Sequence, residues 1–230
     1  MFLIILITIR WYHDWPRPYN GEVFCCQKYM NKKIITIKIG TSVSFTDRGV
    51  LDEYRIGQIA AQVSQLHKKG KGVVLVASGA IACGNRFKSN LDRTCAASIG
   101  QAILTSTFFE IFKTQDLHLA QILVRADDIT VNLAKTVQGL MFAGVVPLFN
   151  ENDAITTQSD FPLGNDFLAV KLAQCIGSQT LLILSTMKGS SFGIGGGRAK
   201  LQAVKDAQEV GIKTEILDGK VKDVLLKALC

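Results

Sequence analysis

The sequence lacks the cysteine and histidine patterns that metal sites and disulfide scaffolds need. Its six cysteines show no CxxC spacing and are too sparse among 230 residues for a disulfide scaffold. Its three histidines, His13, His67 and His118, lie far apart and match no ligand motif. These absences argue against a structural zinc site, and they favour reduced thiols in a cytoplasmic protein.

The sequence also lacks a block of basic residues and any repeat that alternates basic with aromatic residues. Its 26 Lys and Arg residues exceed its 19 Asp and Glu residues, which gives a formal net charge of +7. The basic residues occur in ones and twos, as on a solvated surface, so nucleic acid is a weak interpretation. A polyanionic small molecule such as a nucleotide is compatible with this charge.

A membrane-spanning run is absent from the start of the sequence. Residues 1–9 are almost wholly apolar, but a helix needs about 20 such residues to cross a bilayer. No basic residue precedes them and no small-residue cleavage site follows, so a signal peptide is a minor alternative. Because Met30 stands just before the first convincing strand, we expect residues 1–29 to be an N-terminal extension and residues 30–230 to form the domain.

Strand and helix signals alternate from residue 34 onward, and a hydrophobic content of 48% suffices for a continuous core. Strands are predicted at residues 34–39, 73–76, 119–124, 145–149, 181–184 and 212–217, with helices between them. Asn132 and Asp166 are predicted to cap the helices that follow them. This alternation predicts an α/β fold, a three-layer α/β/α sandwich around a mainly parallel sheet.

Four consecutive polar residues at 150–153 follow the predicted strand at 145–149, and Asn165 and Asp166 come shortly afterwards. Burying such groups without partners costs about 1–3 kcal/mol each, so a cluster at a strand end is more naturally directed at a ligand. In open α/β sheets, ligands bind beyond the carboxyl ends of the strands. An ordinary polar turn is the alternative, since Asn and Asp are favoured turn formers.

Lys38 lies near the end of the first predicted strand, directly before a turn at residues 40–42. Glycine at position 40 lets the backbone approach phosphate closely, and the hydroxyls of Thr41 and Ser42 add donors. A strand-edge lysine that extends to water is the common alternative. The composition of the neighbouring turn favours a catalytic lysine.

Two further turns have compositions that suit a ligand. Residues 77–80 are Ala-Ser-Gly-Ala, where small side chains permit close approach and Ser78 can donate and accept hydrogen bonds. Residues 192–197 end in three glycines whose backbone amides could surround phosphate oxygens, and Lys200 lies in the first turn of the next predicted helix. A tight turn and a flexible linker are the respective alternatives.

Five short motifs follow one another between residues 34 and 218. They are Lys-Ile-Gly-Thr-Ser at 38–42, Ser-Gly-Ala-Ile-Ala at 78–82, Ala-Gln-Ile-Leu at 120–123, Asn-Glu-Asn-Asp-Ala at 150–154 with Asn-Asp at 165–166, and three glycines at 195–197 with Lys-Leu-Gln-Ala at 200–203. Together they resemble the glutamate 5-kinase family, whose members phosphorylate the γ-carboxylate of glutamate and open proline synthesis. The resemblance implies the amino acid kinase fold.

The resemblance also implies a role for each matching residue. Lys38 and Lys200 would be catalytic groups that flank the phosphates of ATP, and Asp166 would orient them. The residues implied to bind L-glutamate are Ser78, Asp153 and Asn165. The residues implied to contact the nucleotide are Lys38, Gly40, Thr41, Ser185, Thr186, Gly195, Gly196, Gly197 and Lys200.

The reaction implied by the resemblance uses ATP and Mg²⁺ and acts on L-glutamate. Mg²⁺ would be shared with the nucleotide, because this small hard ion prefers phosphate and water oxygens. The attacking carboxylate is already ionised near pH 7, so no general base is implied. We expect a cytoplasmic homo-oligomer without nucleic-acid or membrane partners.

The chain departs from the family pattern on both sides of the predicted site. Gly164 and Thr186 each stand where the family has an aspartate, and Leu163 replaces a glycine. The nucleotide-side segment between residues 189 and 193 is much shorter than in the family, which predicts weaker ATP binding, and the sequence has no C-terminal RNA-modification-like domain. A catalytically impaired, glutamate-binding subunit is therefore the alternative hypothesis, and an acetylglutamate or carbamate kinase is a lesser one.

Overall fold

Six strands form a parallel sheet around which the rest of the chain is arranged. The computed structural model describes residues 33–156, 160–161, 164–186 and 196–229. The strands are β1 (Ile34–Ile39), β2 (Gly72–Val76), β3 (His118–Val124), β4 (Val145–Glu151), β5 (Thr180–Ser185) and β6 (Lys213–Asp218). Their order is β3-β4-β2-β1-β5-β6, and every pairing is parallel. The predicted α/β class with a parallel sheet is confirmed.

Helices cover both faces of the sheet. They are α1 (Thr41–Ser44), α2 (Glu53–Lys68), α3 (Ala80–Phe87), α4 (Arg93–Lys113), α5 (Val131–Phe142), α6 (Asn165–Cys175), α7 (Gly196–Glu209) and α8 (Val224–Leu229). A 3₁₀ turn at Ala126–Asp128 follows β3. One core lies between the sheet and α2, α3, α4 and α8, and a second core lies between the sheet and α5, α6 and α7. These are the three predicted layers.

The first strand shows how a lysine comes to lie inside the protein. Successive side chains of a strand point to opposite faces, and Ile35, Ile37 and Ile39 join the core beneath α2 and α4. Ile34 joins the other core, beneath α6, and by the same alternation Lys38 points toward α6. Lys38 is only 5% exposed. The strand therefore delivers a buried ammonium group to the α6 face of the sheet.

The starts of α5 and α6 differ from the predicted ones. Thr130, not Asn132, caps α5, because its hydroxyl accepts a hydrogen bond from the Leu133 N–H at 3.5 Å. Gly164, not Asp166, precedes α6, with φ 62° and ψ −149°, a conformation that is essentially open to glycine alone. Asp166 is instead the second residue of the helix. Both predicted caps are wrong, and the carboxylate of Asp166 lies in the first turn of α6 and does not cap the helix.

Helices α3 and α4 pack with their backbones almost in contact. A Cβ atom on Gly100 would lie 1.7 Å from the Ala80 carbonyl oxygen, and one on Gly84 would lie 1.9 Å from the Ala96 carbonyl oxygen. Glycine is therefore required at both positions, because a larger residue would force the two helices apart. This packing fixes α4 relative to the turn that follows β2.

Helix α4 has the length and apolar composition of a membrane-spanning segment. A core helix of a globular domain can have the same composition, and α4 contributes Leu104, Phe108 and Phe112 to the buried core. The rings of Phe108 and Phe112 stack with their centroids 6.0 Å apart. Packing inside the fold accounts for the buried face of this helix, whereas Ile103 and Phe109 are each 37% exposed.

The sheet changes its direction of winding beside β1. The chain first builds outward from β1 to β2, β3 and β4, and then crosses back to place β5 and β6 on the other side of β1. In open α/β sheets, such a point opens a crevice beyond the carboxyl ends of the strands, where ligands bind. Lys38 near the end of β1 and Ser185 at the end of β5 border this position.

Candidate functional site

Two lysines and an aspartate meet at the carboxyl end of β1. Lys38 Nζ lies 2.6 Å from Asp166 Oδ1, and Lys200 Nζ lies 3.5 Å from Asp166 Oδ2. The side chain of Asp166 is 2% exposed, that of Lys38 is 6% exposed and that of Lys200 is 19% exposed. We call these three residues the charged cluster. The structure thus brings together the three residues predicted to be catalytic, with both lysines next to the carboxylate of Asp166.

Three elements of the fold position the charged cluster. β1 directs Lys38 toward α6, the first turn of α6 carries Asp166, and Lys200 lies near the start of α7. Burial lowers the pKa of Lys38, and the carboxylate of Asp166 opposes that shift. When both lysines are protonated, the cluster contains two positive charges and one negative charge. This excess of positive charge suits an anionic ligand.

Four polar side chains form a second group, which begins at the residue before Asp166. Asn165 Nδ2 lies 2.7 Å from Asn150 Oδ1, 3.0 Å from the Ala77 carbonyl oxygen and 3.2 Å from Ser78 Oγ. Asn150 Nδ2 donates to Gln101 Oε1 at 2.7 Å. We call Ser78, Gln101, Asn150 and Asn165 the amide network. It ties the carboxyl ends of β2 and β4 to α4 and to the start of α6.

One acceptor of the amide network is left over. Asn165 Oδ1 is buried and accepts no hydrogen bond from any residue that the structure describes. A buried acceptor without a donor costs about 1–3 kcal/mol, so such an atom calls for an explanation. A ligand that carries an ammonium or hydroxyl donor would satisfy it. The amide oxygen is therefore a candidate contact point for a ligand.

Asp153, another residue predicted to bind substrate, forms an ion pair with Arg93. The contact joins Arg93 Nη2 to Asp153 Oδ1. Arg93 is the first residue of α4, whereas Asp153 follows β4. Burial raises the pKa of Asp153, and the guanidinium of Arg93 opposes that shift. Arg93 and Gln101 are not predicted from the sequence, because nothing in a single sequence distinguishes them from ordinary polar residues of a helix.

Residues predicted to contact a nucleotide lie at the adjacent ends of β1 and β5. The Gly40 N–H donates to the Leu184 carbonyl oxygen at 2.9 Å, and a Cβ atom on Gly40 would lie 2.8 Å from that oxygen. The Thr186 N–H, directly after Ser185, donates to Ser42 Oγ at 3.2 Å. Glycine at position 40 is therefore needed for the close approach of the two strands, in addition to any role toward a ligand.

Two of the predicted loops are partly helical. Thr41 begins α1, so the predicted turn at residues 40–42 leads directly into a helical turn. Gly196 and Gly197 are the first two residues of α7 rather than the end of a loop. The first N–H groups of a helix have no partners within it, so these glycines can still donate to an anion. The predictions that fall outside the described residues concern the N-terminal extension at residues 1–29, Leu163, the segment between residues 189 and 193, and Gly195.

The described residues do not form a site that could hold a divalent metal by themselves. They include no group of three or more His, Cys, Asp or Glu side chains placed to bind an ion. The carboxylate of the charged cluster has one lysine next to each of its oxygens. The protein residues described here therefore do not fit a Mg²⁺ site of their own.

Kinases are among the solved structures that share this architecture. UMP kinase from Ureaplasma parvum matches with a TM-score of 0.59 at 17% identity, over 87% of this chain and 95% of that one. Carbamate kinase from Giardia lamblia bound to AMP-PNP matches with a TM-score of 0.62 at 12% identity, over 87% and 97% of the two chains. At such low identity, the similarity establishes the fold alone.

Curated relatives extend the match to the sequence. Glutamate 5-kinase from Clostridium acetobutylicum is 29% identical, over 88% of this chain and 93% of its own length. Glutamate 5-kinase from Thermus thermophilus is 30% identical over 87% of this chain, and that from Burkholderia thailandensis is 31% identical over 86%. The chain covers 65% of each of these last two relatives, which is less than two thirds of their length.

These relatives confirm the resemblance predicted from the five motifs. The sequence pattern of the amino acid kinase family matches residues 33–189, which contain β1 to β5 and both Lys38 and Asp166. The chain belongs to the amino acid kinase family.

Proposed function

We propose that the chain transfers the γ-phosphoryl group of ATP to the γ-carboxylate of L-glutamate, forming glutamyl 5-phosphate in the first step of proline biosynthesis. The observation that carries this proposal is the convergence of Lys38 and Lys200 on the buried carboxylate of Asp166. The glutamate 5-kinases among its relatives support the acceptor, and the AMP-PNP bound to a carbamate kinase of this fold supports the donor.

The charged cluster has the properties that phosphoryl transfer requires. Negative charge spreads over the oxygens of the transferring group, so catalysis depends on positioning and neutralisation of that charge. Lys38 and Lys200 would bind these oxygens from two sides. Because Asp166 already holds both ammonium groups near one point, little reorganisation is needed when the phosphate arrives. Asp166 is thus proposed as a residue that orients the two lysines.

The amide network and Asp153 would bind the amino acid. The carboxylate of Asp153 and the unpaired Oδ1 of Asn165 can both accept hydrogen bonds from an ammonium group. The Ser78 hydroxyl can donate to a carboxylate. Since Asn165 directly precedes Asp166, the network lies beside the charged cluster, and the γ-carboxylate of the ligand is proposed to be directed toward that cluster.

No residue has to remove a proton in this reaction. The ordinary pKa of a γ-carboxyl group is about 4.3, so the acceptor is ionised near pH 7. Mg²⁺ would arrive with the phosphates of ATP, since this ion prefers phosphate and water oxygens. The contribution of the protein is then to bring two anions together and to neutralise their charge with Lys38 and Lys200.

The nucleotide would lie along the ends of β1 and β5 and the start of α7. Gly40, Thr41, Ser185 and Thr186 are proposed to border it, together with the glycines at 195–197. Phosphate oxygens would accept from the first backbone N–H groups of α7. A homo-oligomeric state, a cytoplasmic location and the lack of nucleic-acid and membrane partners remain predictions.

The direct test is ADP formation by the purified full-length chain in a coupled assay with ATP, Mg²⁺ and L-glutamate. We expect turnover that depends on glutamate and that Asp166→Asn reduces severely. Asp116→Asn is the matched control, because Asp116 is exposed, lies in the turn before β3 and has a φ of 55° that asparagine tolerates. This control should leave turnover unchanged.

Calorimetry with each ligand separately distinguishes the remaining hypotheses. Binding of glutamate without binding of ATP would support the impaired, glutamate-binding subunit and contradict the proposal. Faster phosphorylation of carbamate or acetylglutamate than of L-glutamate would replace the proposed acceptor.

A further inference from the structure

An arginine that belongs to none of the predicted motifs lies at the proposed amino acid site. Arg93 begins α4 and contacts Asp153, the aspartate proposed to receive the ammonium group. The side chain of Arg93 is 25% exposed and that of Asp153 is 11% exposed, so the pair is largely removed from water but keeps some contact with solvent. An inference about this pair rests on the proposed function, because it assigns the groups that recognise the amino acid.

We propose that Arg93 is a specificity-determining residue that binds the α-carboxylate of the substrate, while Asp153 binds the α-ammonium group. In an amino acid these two groups are attached to one carbon atom, so they reach a receptor side by side. Arg93 and Asp153 present the two complementary charges in direct contact. The zwitterionic end of the substrate therefore matches the pair charge for charge.

The guanidinium of Arg93 has a donor that the ion pair does not use. Nη2 contacts Asp153, whereas Nε is buried and donates to no residue that the structure describes. A guanidinium presents five N–H donors in a fixed plane, which suits a carboxylate held by two parallel hydrogen bonds. A carboxylate that contacts Nε and a neighbouring Nη atom would satisfy the buried donor.

The ion pair also lowers the cost of burying both charges in the folded protein when no zwitterion is bound. A charge withdrawn from water is costly unless a partner of opposite sign compensates it, and here each residue compensates the other. An incoming zwitterion adds one charge of each sign, so two ion pairs can replace one without a change in net charge. A ligand that lacks the α-carboxylate leaves its ammonium group in competition with Arg93 for the single carboxylate of Asp153.

Helix α4 holds Arg93 in a defined position. Further along the same helix, Gln101 accepts a hydrogen bond from Asn150 of the amide network. The close packing of Gly100 against α3 fixes the helix at this level. A specificity residue carried by such an element is placed more accurately than one carried by a loop.

The test is equilibrium binding, by calorimetry on the full-length chain, of L-glutamate and of 4-aminobutyrate, which has the same chain and ammonium-to-carboxylate spacing but no α-carboxylate. The wild-type chain should prefer L-glutamate by at least about 10-fold, as expected for a charged hydrogen-bonded contact. Arg93→Met should weaken glutamate binding by about 10- to 100-fold and leave the affinity for 4-aminobutyrate the same or higher. Arg93→Lys, which keeps the charge but loses the planar donors, should have a glutamate affinity between those of the wild type and Arg93→Met.

Arg125→Met is the matched control for the loss of an arginine–aspartate pair. Arg125 Nε lies 2.9 Å from Asp160 Oδ2, in the same segment between β4 and α6 that contains Asp153, and this pair is more exposed. The control should leave both affinities unchanged. Equal weakening of both ligands by Arg93→Met, or no weakening of either, would overturn the inference and leave Arg93 with a structural role.

The same experiments separate this inference from the proposed function. A chain that binds glutamate with the predicted dependence on Arg93 but forms no product would contradict the proposed reaction and support the inference. A chain that phosphorylates glutamate with unchanged affinity in Arg93→Met would support the reaction and overturn the inference. If the wild-type chain binds no glutamate at all, both fail.

Discussion

The charged cluster and the amide network lie next to each other in the chain but are built on opposite principles. Asp166 collects two ammonium groups, so the cluster has more positive than negative charge and is matched only when an anion binds. In the adjacent residue, the side-chain nitrogen of Asn165 has three acceptors within reach, and a single oxygen is left without a described donor. The charged cluster contains two lysines and one carboxylate, whereas the hydrogen bonds of the amide network are almost all satisfied.

This difference indicates how the two halves should respond to substitution. Removal of a charge that acts mainly in the transition state should lower the rate with little effect on folding. Removal of a member of a satisfied hydrogen-bond network should weaken both folding and substrate binding, since its partners are left buried and unpaired.

The largest effect is expected for Lys38→Met. It removes one of the two cations that would neutralise the transferring phosphoryl group, and we expect kcat to fall by about 10³-fold. The chain should still fold, because Lys200 still faces Asp166 Oδ2, although Asp166 Oδ1 loses its 2.6 Å partner and some stability is lost with it. Steady-state kinetics and thermal unfolding monitored by circular dichroism measure the two quantities. Lys213→Met removes a 66% exposed lysine of β6 and serves as the control with unchanged kcat.

Asn150→Ala in the amide network should weaken folding and substrate binding. Asn150 is 2% exposed, and its side chain bonds to Gln101, Asn165 and the Glu151 N–H. We expect a loss of about 1–3 kcal/mol in the free energy of unfolding and a rise of about 10-fold in the KM for glutamate. Urea denaturation and kinetics provide the measurements. The exposed Asn132→Ala is the control, and an unchanged stability of Asn150→Ala would show that the network is not a structural unit.

Two glycine substitutions test whether α4 must stay close to α3 for the amide network to form. Gly100→Ala places a Cβ atom 1.7 Å from a backbone oxygen, and we expect a destabilisation of about 1–3 kcal/mol or more with weaker glutamate binding. Gly139→Ala, in α5, meets no atom within 4 Å and should stabilise the chain by about 0.5–1 kcal/mol. Equal effects of the two substitutions in urea denaturation would contradict the packing argument.

A smaller effect concerns the charged half at alkaline pH. Burial lowers the pKa of Lys38 below its ordinary value of 10.5, so this lysine loses its proton earlier than a free one. Activity that needs the ammonium form should therefore decline as pH rises toward 10.5. The contribution of Lys38 to stability has the opposite sign, since the unfolded chain binds the extra proton in that range and stability from this group increases with pH.

The pH profile of kcat/KM measures the decline. Lys38→Arg keeps its proton to a higher pH, so any activity that it retains should lack this alkaline limb. An alkaline limb at the same pH in wild type and in Lys38→Arg would assign the titration to a different group.

Much of the fold and part of the site were predictable because their signals are local. Alternating strands and helices leave few arrangements other than a parallel sheet with two covering layers. The alternation within β1 places Lys38 opposite Ile35 and Ile37, and the polar residues at 150–153 end the strand that contributes Asn150. Each inference uses neighbours in the sequence, where the periodicity of the chain determines which face a side chain occupies.

The residues that escaped prediction depend on contacts between distant segments. Arg93 and Gln101 lie on the same long helix and look like ordinary surface residues until α4 is packed against the end of β4. The cap of α6 was wrongly predicted because Gly164 takes a conformation that no local pattern reveals. The helix therefore begins before Asp166, whose carboxylate pairs with the lysines instead of capping the helix. Tertiary packing decides both features.

The most direct test of the account is a crystal structure of the chain with L-glutamate and AMP-PNP bound together. The account predicts that Nζ of Lys38 and Nζ of Lys200 both lie within hydrogen-bonding distance, about 2.7–3.2 Å, of γ-phosphoryl oxygens of the analogue. A γ-phosphoryl group bound away from both lysines, while they remain closed on Asp166, would contradict it.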